Sequence, residues 1–148
     1  AIDYAKAKGA KVINLSFGGT SISSNLKRAI DEAISAGIVI VASSGNGAAA
    51  DLDYPARYEP VIAVGGATKK DERASFSNGG LELDVIAPAE SVITTTRNNG
   101  YGSVTGTSAA APLVAALSAL VIDDDPKLQV KEIEAKIRDG ATKVLAMA

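Results

Sequence analysis

Hydrophobic positions follow two different periods along this chain, and the switches between them mark its elements. Ile22, Leu26, Ala29, Ile30, Ala33 and Ile34 recur at three- and four-residue spacing, with Lys27, Arg28, Asp31 and Glu32 opposite them. That pattern predicts an amphipathic helix, which Ser21 or Ser23 can cap and Gly37 ends. The apolar run 38–42 follows at once, and a second run, 61–65, comes after a proline-punctuated loop. Continuous apolar runs of this length predict parallel strands covered on both faces. Residues 12–17 predict a further strand, broken by Gly18-Gly19, and residues 83–87 another, closed by Pro88. Strand, helix and strand at this spacing form a βαβ unit, for which a right-handed crossover is expected. Residues 2–8 before Gly9 read as a helix with a glycine stop.

The second half switches habit. Residues 91–96 are rich in β-branched side chains, and Asn98-Asn99-Gly100 predicts a hairpin turn into 101–104. Residues 113–122 are apolar on every side, which predicts a helix buried at the centre of the fold, with Pro112 in its first turns. Asp123-Asp124-Asp125-Pro126 ends that helix, and these acids read as a solvated loop rather than a cation site. Leu128, Val130, Ile133 and Ile137 outline a last amphipathic helix. The result is one α/β domain over 1–148.

Composition narrows the function classes. A net charge of −2 leaves no basic stripe for nucleic acid. The apolar run 109–122 is too short to span a bilayer. The chain has no cysteine, hence no disulfide framework and no thiolate site. It also has no histidine, so a mechanism with imidazole as general base cannot be completed from these residues alone. No signal peptide is visible, and Ala1 starts inside a helical pattern, as expected of part of a longer protein.

The candidate chemistry centres on Gly106-Thr107-Ser108 followed by three alanines and Pro112. With Thr107 as N-cap, Ser108 falls in the first helical turn, where N–H groups lack partners and the dipole favours negative charge. A hydroxyl there, flanked by small residues, suits a nucleophile whose reaction develops an oxyanion. The bland alternative is an ordinary helix start. Gly45-Asn46-Gly47 with Ala50 imitates a dinucleotide fingerprint, but a phosphate turn must open a helix, and residues 51–55 break the chain instead. The strand end is better used to display Asn46, whose carboxamide can donate to an oxyanion. Asn14-Leu15-Ser16 matches a glycosylation sequon and is expected to be buried in its strand.

Five blocks then stand in one order: 12–19 (Val-Ile-Asn-Leu-Ser-Phe-Gly-Gly), 43–46 (Ser-Ser-Gly-Asn), 54–58 (Tyr-Pro-Ala-Arg-Tyr), 74–77 (Ala-Ser-Phe-Ser) and 106–112 (Gly-Thr-Ser-Ala-Ala-Ala-Pro). In order and spacing the chain resembles the C-terminal half of a subtilisin-like serine protease domain. The resemblance implies a three-layer α/β/α fold with a mainly parallel sheet, and a secreted serine endopeptidase. It implies Ser108 as nucleophile, with Asn46 and the Ser108 N–H as oxyanion hole. Ser16, Phe17 and Gly18 would pair with the polypeptide substrate as an added strand, and the pocket for its side chain would lie between them and Ala42, Ser43, Ser44 and Gly45. A weak structural calcium or sodium site is implied at carbonyls near Ala56, Tyr58 and Val61, with Glu82 and Asp84 close by.

The family's catalytic aspartate and histidine lie in N-terminal segments that have no counterpart here. Ala109 and Leu113 stand where the family usually has Met and His, neither of them a triad member. The expected partners are therefore the N-terminal half of the domain, a second copy of the chain, or a propeptide. The chain alone is expected to be inactive. A reading from another class is a non-catalytic relative that keeps the groove as a peptide-binding module.

Overall fold

A computed structural model describes residues 1–143; the last five residues of the domain read from sequence lie outside it. Four strands, β1 (Val12–Leu15), β2 (Val39–Ser43), β3 (Ile62–Ala67) and β4 (Val85–Pro88), form one sheet in chain order. Every neighbouring pair is parallel, with Val12 opposite Val39, Val41 opposite Ile62 and Val64 opposite Val85.

The period-two alternation of the buried strands sorts their side chains into two cores. Ile40 and Ala42 face helices α1 (Ile2–Ala7) and α2 (Ser24–Ser35), meeting Ile2, Ala29, Ile30 and Ala33. Val39, Val41, Ile62 and Val64 face α3 (Thr107–Asp124) and α4 (Val130–Gly140), meeting Ala110, Ala111, Val114, Ile133 and Ile137. The three-layer α/β/α architecture follows from that division. Small residues on α3 let it approach the sheet closely, and it touches all four strands.

Local signals act where the pattern placed them. Ser23, not Ser21, caps α2, its Oγ accepting from the Leu26 N–H at 3.2 Å. Strands β5 (Val92–Thr96) and β6 (Gly100–Val104) form an antiparallel ribbon, and Asn98 and Asn99 both take positive φ in the turn, as asparagines tolerate. Gln129 and Glu132 form a capping box at the start of α4, a signal the periodicity reading passed over.

Three expectations need correction. Gly106, at φ +145°, is the N-cap of α3, and Thr107 is already its first helical residue. The sequon residue Asn14 is exposed, because β1 lies at the sheet edge, and its amide donates to Ser16 Oγ at 2.9 Å. Helix α3 is not buried all round. One face packs on the sheet, while Leu113, Leu117 and Leu120 are 43, 44 and 66% exposed on the other. At 18 residues it is also long and apolar enough to cross a bilayer by length and composition, although the face on the sheet serves as core.

A contiguous leucine stripe of this kind is expected to act as an association surface. The chain alone is expected to bind an apolar dye and to sediment as more than a monomer. Leu117→Glu with Leu120→Glu should suppress both while leaving the thermal midpoint within a few degrees, since both side chains are largely exposed.

Candidate functional site

The carboxyl ends of parallel strands are where such sheets expose backbone and loops for chemistry. Here β1 runs out into Ser16-Phe17-Gly18, β2 runs out into Ser44-Gly45-Asn46, and α3 begins between them. Asn46 sits beside the first turn of that helix. Its Oδ1 accepts from the Thr107 N–H at 2.8 Å and from Thr107 Oγ1 at 3.0 Å. Because both donors belong to Thr107, the oxygen of the carboxamide is fixed inward and its Nδ2 is left to donate outward. The task assigned to Thr107 as a cap is thus performed by a residue 61 positions earlier.

Ser108 follows in the same turn and is exposed. As the second residue of the helix, its N–H has no intrahelical acceptor and points where the dipole favours negative charge. Pro112 cannot return a hydrogen bond to the Ser108 carbonyl. The Ser16 hydroxyl donates to that carbonyl instead, at 3.0 Å, and Ser108 Oγ lies 3.4 Å from the Ser16 carbonyl oxygen. The structure therefore brings together Ser16, Asn46 and Ser108, which are far apart in sequence. Phe17 and Gly18 are exposed beside them, whereas Ala42, Ser43, Ser44 and Gly45 form the buried opposite wall.

The loop that carries Asn46 is held by a residue that sequence reasoning missed. Asn78 is 2% exposed, and its Oδ1 accepts from the Gly47 N–H at 2.8 Å and the Ala49 N–H at 3.0 Å. Its own N–H donates to the Gly45 carbonyl at 3.0 Å, and its carbonyl accepts from Ser44 Oγ at 3.2 Å. Both flanks of Asn46 are thereby pinned. Ser77-Asn78-Gly79-Gly80 reads in sequence as ordinary turn residues, so only the hydrogen-bond partners reveal this role.

The residues expected near a cation each have partners within the chain. Ala56 and Val61 are buried backbone neighbours of Tyr58, whose carbonyl accepts from the Val61 N–H at 2.8 Å. Glu82 faces the Arg57 guanidinium at 3.9 Å, and Asp84 accepts from the Ala63 N–H at 2.8 Å. Burial raises the Asp84 carboxyl to about 6, and the Ala63 bond opposes the shift without cancelling it. A carboxyl raised above its unfolded value favours the folded state while protonated, and this contribution is lost as pH rises through 6. Asp84→Asn is therefore expected to stabilise the chain at pH 8 by about 1–2 kcal/mol, allowing for partial solvent screening, and to do little at pH 4. Denaturant midpoints at the two pH values test this.

Comparisons with known proteins bear on the family and the fold. The chain matches the subtilase family, peptidase S8, over residues 1–147. It is 43% identical to subtilisin DY of Bacillus licheniformis over 145 residues, covering 95% of this chain and 53% of that protein. It is 40% identical to M-protease of Shouchella clausii over 141 residues, covering 95% of this chain and 37% of that protein. A cold-adapted subtilisin-like serine proteinase superposes with a TM-score of 0.91 at 30% identity, over 99% of this chain and 55% of that structure. The chain thus spans about half or less of these relatives' length. With sequence and fold in agreement, this chain belongs to the subtilase family of serine proteases.

Proposed function

We propose that the chain supplies the nucleophile and the oxyanion hole of a secreted subtilisin-like serine endopeptidase, and that a segment bearing histidine and aspartate completes it. Ser108 attacks the scissile carbonyl, while its own N–H and the Asn46 Nδ2 receive the developing oxyanion. Ser16, Phe17 and Gly18 take the substrate backbone as an added strand. The observation that carries this reading is the pair of hydrogen bonds that the Thr107 N–H and Oγ1 donate to Asn46 Oδ1, which leaves the Asn46 amide to point past the residue that precedes Ser108. The completing segment adds to the open edge of β1, and it or a propeptide covers the leucine stripe of α3. A weak calcium or sodium site at the carbonyls of Ala56, Tyr58 and Val61 belongs to the same proposal. Glu82 and Asp84, engaged by Arg57 and Ala63, shape the field around that ion rather than bind it.

A fluorophosphonate probe tests the assignment. Ser108 should be labelled after the chain is mixed with a histidine-bearing N-terminal half, and Ser108→Ala should abolish labelling. Failure of Ser108 to label in a mixture that folds to one complex would favour the second reading, a peptide-binding module. The absence of histidine from the chain is what keeps that reading in play.

A further inference from the structure

The loop 45–49, which carries the exposed Asn46, belongs to no strand or helix and leans on residues 76–79. The Asn78 N–H donates to the Gly45 carbonyl, the Ala48 N–H to the Phe76 carbonyl at 2.9 Å, and the Gly79 N–H to the Ala49 carbonyl at 3.0 Å. Between these backbone bonds, the Gly47 and Ala49 N–H groups both end on Asn78 Oδ1. Three successive N–H groups of the loop thus go to one neighbouring segment, two of them to a single side-chain atom. The loop needs that hold. Gly45 sits at φ +106° and Ala48 at φ +52°, and an alanine keeps a left-handed backbone only where its surroundings impose it.

The holding residue is itself fixed to the sheet. The Asn78 carbonyl accepts from the buried Ser77 Oγ at 3.1 Å, and that same oxygen accepts from the Gly66 N–H of β3 at 3.0 Å. Arg73 Nη1 donates to the Ser77 carbonyl at 2.7 Å from the outer side. Asn46 is therefore held from behind through Asn78 and from the front by the two Thr107 donors. A donor that stabilises charge in the transition state works by being placed beforehand, and a shift of about 1 Å can cost about a hundredfold in rate. We propose that Asn78 is a positioning residue: its side-chain oxygen, by holding the Gly47 and Ala49 N–H groups, sets Asn46 Nδ2 where it meets the oxyanion together with the Ser108 N–H. This rests on the reading of Asn46 as the oxyanion donor and Ser108 as the nucleophile.

The test is a double-substitution cycle in the complete catalytic domain containing this chain, read with one fluorogenic peptide. Asn78→Ala should lower kcat by about 10- to 100-fold and leave KM within about threefold. In an Asn46→Ala background the same change should alter kcat by less than about twofold, because the donor it positions is already gone. A merely structural role would lower kcat equally in both backgrounds, and that result overturns this inference while leaving the catalytic reading intact. Full kcat in Asn78→Ala does the same. If Asn46→Ala alone leaves kcat unchanged, the catalytic reading falls and this inference falls with it. Should Asn78→Ala fail to fold, Asn78→Ser enters the cycle with the same expected results, since its hydroxyl keeps a polar group in the site but is too short to serve both N–H groups.

Discussion

Residues 1–148 alone are expected to hydrolyse a peptide ester no faster than the same chain carrying Ser108→Ala. The hydroxyl of Ser108 has a carbonyl oxygen as its described neighbour, at 3.4 Å from Ser16, and a carbonyl cannot remove its proton. No imidazole exists anywhere in the sequence to do so. A serine without a base is a weak nucleophile at neutral pH, so a prepared oxyanion hole has no tetrahedral intermediate to stabilise. Addition of the segment with histidine and aspartate should raise kcat by roughly a million-fold, a scale measured on subtilisin itself and carried over to this relative. Steady-state ester hydrolysis with and without that segment is the measurement. Ser108-dependent turnover by the chain alone would sink the proposed division of labour.

In the completed domain, Asn46→Ala is expected to lower kcat by about 10²–10³ with KM nearly unchanged, again a magnitude known from subtilisin. The same substitution strips both Thr107 donors of their acceptor, which should cost about 1 kcal/mol of stability. Asn46→Asp separates the two effects. A carboxylate oxygen can still accept from the Thr107 N–H and Oγ1, but the amide donor is gone. Catalysis should fall as far as in Asn46→Ala while the denaturant midpoint recovers. If Asn46→Asp retained full kcat, donation from this side chain would not be what stabilises the transition state.

Much of this fold was legible in the pattern of apolar residues. The run 38–42 gave a strand buried on both sides, and the face of Ala29, Ile30 and Ala33 gave the helix that covers it. The placement of Ser108 at a helix start and of Asn46 just past a strand end was legible from the small residues and glycines around them. What escaped notice was held by partners remote in sequence. The cap of α3 comes from Asn46 rather than Thr107, and Asn78 resembles a turn residue until its bonds to Gly47 and Ala49 are seen. The burial of α3 was overestimated for a simpler reason. A helix apolar all round signals contacts on every side, and these residues supply them on one side only.

Pro112 has an effect one turn away from itself. By withholding an N–H, it frees the Ser108 carbonyl to hold the Ser16 hydroxyl. The ledge that would receive a peptide and the helix that would attack it are consequently latched together by a contact outside any secondary structure. A displacement of residue 16 would reach Ser108 directly through that bond, without passing through the sheet. With Ser108 reacting as proposed, peptide docking and reaction geometry would be coupled through that latch, and slack in it would blur both.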